Sequence, residues 1–195
     1  VYQQPIVGKI LTKAQHCQKS EKVELKSTAK NTKSYTWIVG NKSYKDTTAT
    51  IEHQFTSHGY QQVQMVLKGE NNCVTSHIFD SVTFIRRKPT AALNADSFVV
   101  CKGSELTFSP TLNFFDSTNK KLVWETNGAQ QDSVVNTEKP VARYNRKGEY
   151  DLNLRIRKTS VGCVYEYNWP KVVKVQDVPD LDLSLKPKAL DRCNT

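Results

Sequence analysis

The sequence predicts an all-β protein: antiparallel β-sandwiches in tandem, each closed by one disulfide. Three observations carry this. A set of features recurs in the same order twice along 195 residues. Apolar and polar residues alternate with period two, and no window shows an apolar stripe of period 3.6. Cysteines fall at matched places in the two copies.

The repeat defines the units. Residues 5–17 (PIVGKILTKAQHC), 89–101 (PTAALNADSFVVC) and 179–193 (PDLDLSLKPKALDRC) align as three openings, each running from a proline to a cysteine. A short alternating strand follows the first two, KVELKS at 22–27 and SELTFS at 104–109. A strand centred on Trp37 or Trp124 comes next. An aromatic residue then stands four places before a glycine, as Phe55 and Gly59 or Tyr144 and Gly148. A second alternating strand carries Val63, Met65 and Leu67, or Tyr150, Leu152, Leu154 and Ile156. A cysteine follows it, Cys73 or Cys163, and an apolar strand closes each copy, SVTFI or KVVKV. The expected division is a first module at 1–88, a second at 89–178, and the opening strand of a third at 179–195. Strands at this spacing, with Gly, Asn and Ser between them, suit a sandwich of about seven strands per module.

Paired cysteines without C-x-x-C spacing point to an oxidising compartment rather than to metal. Their matched positions predict the bridges Cys17–Cys73 and Cys101–Cys163, each tying one end of its own sandwich. Cys193 opens the third unit and is expected to be unpaired within these residues.

Composition narrows the function. The net charge is +9, with 37% hydrophobic and 24% charged residues. The longest basic run is Arg86, Arg87 and Lys88, at the expected linker. No nucleic-acid module pattern accompanies the charge, so no nucleic-acid partner is expected. No apolar run approaches the ~20 residues of a membrane-spanning helix. An export signal, if there is one, is expected outside this stretch.

The ordered set of features resembles the PKD-type (polycystic kidney disease) and Ig-like repeat domains of secreted and cell-surface proteins of Bacteroidota. The residues carrying the likeness are the linker proline, the Cys101/Gly103 and Cys17/Ser20 starts, the central Trp, the aromatic-x-x-x-Gly turn, and the Gly162/Cys163 and Asn72/Cys73 closes. Where that family has a W-x-F-G-D-G turn, this chain has WIVGNK and WETNGA. The resemblance implies adhesins, gliding-motility proteins and type IX export. A second likeness is to the Asp-led O-glycosylation signal of flavobacteria, which implies Thr47, Ser81, Ser117 and Ser133 as acceptors. The sequence NKS at Asn41 fits an N-glycosylation acceptor in a eukaryotic setting.

No catalytic constellation is visible: G-x-S-x-G, H-E-x-x-H and phosphate-cradling Gly loops are all absent from the sequence. The four histidines, His16, His53, His58 and His77, all fall in the first copy and are expected in exposed loops. Asp177, Asp180 and Asp182 give the second linker an acidic cluster that the basic first linker does not share, so a calcium site common to the joints is not expected. The chain is therefore expected to be non-catalytic and cofactor-free, an extracellular spacer and adhesion repeat. Its expected partners are neighbouring modules, with surface polysaccharide or other cell-surface proteins as candidates. One alternative is a carbohydrate-binding accessory module of a secreted polysaccharide- or protein-degrading enzyme. Tyr165, Tyr167 and Trp169 would then stack on sugar rings. Another is a structural subunit of a surface filament or export machine.

Overall fold

The computed structural model describes residues 3–115 and 119–177. Eight strands come first: β1 (Ile10–Leu11), β2 (Gln15–His16), β3 (Val23–Ser27), β4 (Ser34–Val39), β5 (Lys42–Asp46), β6 (Thr50–His53), β7 (Gly59–Lys68) and β8 (Val74–Ile85). They form two sheets, ordered β1-β3-β6 and β2-β8-β7-β4-β5. Every pairing is antiparallel except β2 with β8, which run parallel with Gln15 opposite Phe84 and His16 opposite Ile85. A short first strand that leaves one sheet to run parallel to the last strand of the other gives this all-β unit an immunoglobulin-like topology.

Period-two patterning explains the packing. Val23, Leu25 and Ile51 point inward from one sheet, and Trp37, Val63, Met65 and Leu67 from the other, all buried. Each such side chain taken from water contributes about 1.5–3 kcal/mol, which is what holds two thin sheets together.

Nine strands follow: β9 (Thr90–Ala92), β10 (Phe98–Cys101), β11 (Glu105–Thr107), β12 (Thr111–Asn113), β13 (Lys120–Glu125), β14 (Ser133–Val135), β15 (Val141–Arg143), β16 (Gly148–Lys158) and β17 (Cys163–Gln176). The large sheet again has the order β10-β17-β16-β13-β14, with β10 parallel to β17. The opposing layer is split, because β11 pairs with β15 while β12 pairs with β9. Pro110 stands between β11 and β12. It has no N–H to give a ladder, so the strand that is continuous as β3 in the first copy is broken here. Trp124, Tyr144, Phe108, Leu152, Leu154 and Ile156 fill the second core.

The two copies share irregularities as well as order. The β7–β8 ladder shifts register between Gln61 and Val63, and the β16–β17 ladder between Tyr150 and Leu152. Opposite each shift a residue takes positive φ, Ser81 at 57° and Lys171 at 51°. Such bulges bend a strand and sharpen its twist, so the same bend is built into both sandwiches.

The cysteine pairing departs from the sequence expectation. Among the described residues a single disulfide joins Cys17 to Cys163, with Cα atoms 5.5 Å apart, and Cys73 and Cys101 are thiols. The reason lies in strand length. Cys17 follows His16, which pairs with Ile85 at the end of β8, whereas Cys73 precedes Val74 at its start. Twelve residues of strand between them amount to about 40 Å at ~3.3 Å per residue. Cys101 likewise pairs with Gln176, the last residue of β17, and Cys163 is the first. A disulfide needs Cα atoms roughly 4.4–6.8 Å apart, so neither expected bridge can form. Cys193 lies outside the described residues.

Candidate functional site

The geometry that brings the two copies together is the joint between β8 and β9. Only residues 86–89 separate these strands. The bridge gives the joint a second covalent connection, with Cys17 packed against the core of the second sandwich and Cys163 buried in it.

Each half of the bridge is held by its own neighbours. Glu21 accepts from the Cys17 amide at 3.1 Å through one carboxylate oxygen and lies 3.1 Å from His16 Nδ1 through the other. That clamp fixes the end of β2, where Arg86 N donates to the His16 carbonyl at 2.9 Å. On the other side, Gly162 at φ 69° closes the β16–β17 turn and aims Cys163 toward Cys17. A positive φ there suits glycine, which has no Cβ to clash.

Polar contacts cross the joint beside the sulfurs. The Tyr165 hydroxyl donates to the Cys17 carbonyl at 2.9 Å, and the Tyr167 hydroxyl donates to the Pro89 carbonyl. Burial raises the pKa of both phenols, so they stay protonated donors. The linker cations lie over aromatic rings: Arg86 over Phe84, Arg87 over Phe115 and Lys88 over Tyr167, at 5.6, 5.2 and 5.1 Å from the ring centres. The basic run is therefore engaged in the joint, each contact worth about 0.5–1 kcal/mol where exposed. A cleft of about 520 Å³ opens beside it, lined by His58, Arg86, Arg87, Phe115, Lys158 and Tyr165 among others.

The aromatic stripe belongs to this architecture. Tyr165, Tyr167 and Trp169 pair with Ile156, Leu154 and Leu152, so they share the inward face of the sheet. Trp169 stacks on Trp124 at 6.1 Å and on Tyr167 at 6.2 Å. Tyr165 is buried and the other two are half-buried, so the stripe gives a sugar ring no open platform of three rings.

The histidines are not all exposed loop residues, as the sequence suggested. His16 is buried on β2, and His53 is buried on β6, where its Nδ1 lies 2.8 Å from the Tyr44 hydroxyl. Burial, with Lys42 nearby, lowers the pKa of His53. His58 and His77 are exposed. Among the described residues, no group of three or more His, Cys, Asp or Glu is placed to hold a metal ion. Asp177 pairs with Lys147 at 3.3 Å, and Asp180 and Asp182 lie outside the described residues. No helix among the described residues is long and apolar enough to cross a membrane.

The acceptor candidates Thr47, Ser81 and Ser133 are exposed, and Ser117 lies outside the described residues. Asn41 is exposed in the turn between β4 and β5.

No family model matches the chain, and comparison with curated proteins gives no match. Among solved structures, the fibronectin(III)-like modules of CbhA from Clostridium thermocellum overlay with a TM-score of 0.39 at 13% identity, over 89% of this chain and 94% of that one. The four N-terminal Ig domains of Dscam1 isoform 6.44 overlay at 0.37 and 8% identity, over 92% of this chain and 53% of that one. The Dpr2 Ig1-Ig2 complex with DIP-Theta Ig1-Ig3 gives 0.37 and 10%, over 89% of this chain and 66% of that one. Overlays this loose transfer no ligand and no role. The immunoglobulin-like, all-β character rests on the sheet order and strand polarity of the chain itself.

Proposed function

We propose that the chain is a non-catalytic, load-bearing spacer of a large secreted or cell-surface bacterial protein, made of tandem sandwiches at 1–88 and 89–178 with a third opening at 179–195. The PKD-type resemblance points to an adhesin or gliding-motility setting. The observation that carries the reading is the loop closed by Cys17 and Cys163, which are 146 residues apart in sequence. Most of both sandwiches lies inside that loop. Tension applied at the chain ends passes from Cys17 through the sulfurs to Cys163, so the chain between them is not drawn out. A surface spacer exposed to shear needs this property, because it keeps its length when a sandwich is loaded. The bridge also leaves the two modules little freedom to hinge, whereas a single linker would permit it.

Single-molecule stretching from the two ends tests the proposal. At roughly 3.3–3.6 Å per extended residue, the reduced chain should lengthen by about 500 Å more than the oxidised one. Equal extension of the two forms would contradict a load-bearing role for the bridge.

A further inference from the structure

The thiols Cys101 and Cys73 occupy the same repeat positions as the two halves of the bridge. Cys101 ends β10, which runs parallel to the last strand of its sheet and reaches Gln176. Cys17 directly follows β2, which runs parallel to the last strand of its own sheet and reaches Ile85. Cys73 follows Asn72, at φ 63°, in the turn between β7 and β8. Cys163 follows Gly162, at φ 69°, in the corresponding turn between β16 and β17. The observed bond thus joins the parallel-strand cysteine of one module to the turn cysteine of the next. Applying that relation once more carries Cys101 outward past the far end of the second module, and Cys73 outward past the near end of the first. Cys101 is exposed, and Cys73 is partly exposed with Asn71 Nδ2 2.9 Å from its sulfur.

We propose that Cys101 and Cys73 are complementary halves of the same inter-module staple. In this arrangement the end of the second module carrying Cys101 docks a further module of the same kind and bonds its turn cysteine. The Cys73 end of the first module is docked in the same way from the other side. The interface is head-to-tail rather than two-fold, so it propagates along an array instead of closing into a dimer. Successive loops would then overlap, because the loop closed at Cys17 and Cys163 contains Cys101, from which the next begins. The inference rests on the spacer reading and deepens it by naming the partner and its point of attachment. In the bond-forming step the two thiols give up two protons and two electrons. A small disulfide such as oxidised glutathione takes them and becomes two thiols.

The test uses a chain in which residue 178 is joined to residue 5 of a second copy, so that each joint keeps its proline. The chain is refolded in a glutathione redox buffer, alkylated, and mapped by mass spectrometry without reduction. The expected product carries Cys17–Cys163 in both copies and a third bridge from Cys101 of the first copy to Cys73 of the second. Alkylation of that Cys101 should fall from complete, as in the 195-residue chain, to nearly nil. Replacement of that residue, Cys101→Ser, should return the second copy's Cys73 to full alkylation. If both Cys17–Cys163 bridges form while Cys101 stays free or bonds elsewhere, the staple inference fails and the joint stands. If the Cys17–Cys163 bridges themselves are absent, the spacer reading falls and the inference falls with it.

Discussion

The Tyr165 hydroxyl reaches across the joint to the backbone carbonyl of Cys17, 2.9 Å away and 148 residues distant in sequence. The bond ties the start of β17 to the end of β2, beside the sulfurs that link the same two segments. It has a measurable worth. Tyr165→Phe keeps the ring in the second core and removes only the donor, at a cost of about 0.5–1.5 kcal/mol. For a chain of this size, 1 kcal/mol corresponds to about 2–4 °C in Tm. Calorimetry of the oxidised variant should show a drop of that order with the bridge intact. An unchanged Tm would mean that the phenol does not support the joint.

His53 predicts how stability depends on pH. Burial lowers its pKa in the folded chain, so between the folded pKa and the ordinary value near 6.5 the unfolded chain binds the proton more readily. Stability is then full above about pH 6.5 and is lost as pH falls through that value toward the folded pKa. Urea midpoints measured from pH 7.5 to 5 should decline, and His53→Gln should flatten that part of the decline. A slope unaffected by the substitution would place the titration elsewhere.

Much of the fold was readable from residue order. Period-two alternation located β3, β7, β11 and β16, the central Trp37 and Trp124 located β4 and β13, and Leu152, Leu154 and Ile156 share one buried face as their alternation required. Strand length was the hidden quantity. The closing strands looked like the short runs SVTFI and KVVKV, because the exposed residues before them, such as Ser76, His77 and Ile78, obscure the alternation. In the structure these runs are the ends of strands of twelve and fourteen residues. That extra length separates the two cysteines of one copy and brings cysteines of adjacent copies together. The joint could not be read from the sequence, since its contacts span 70 to 150 residues and no local pattern encodes them. The one available signal was Tyr165, two residues after a cysteine and in phase with buried positions.

Sugar attachment remains a proposal from the Asp-led motifs. Thr47, Ser81 and Ser133 have exposed positions. Intact-mass measurement of the chain produced in a Bacteroidota host should show additions of whole glycans, reduced by one glycan on Ser81→Ala. A mass equal to that of the bare chain with its disulfide would reject modification.

Peptide mapping of the unreduced 195-residue chain bears most directly on the joint. After the free thiols are alkylated in denaturant, digestion should release one species linking the peptides of Cys17 and Cys163, and Cys73 and Cys101 should both carry the alkyl label. Recovery of Cys17 linked to Cys73 and of Cys101 linked to Cys163 would contradict it, because each sandwich would then be closed on itself and the staple between them would not exist.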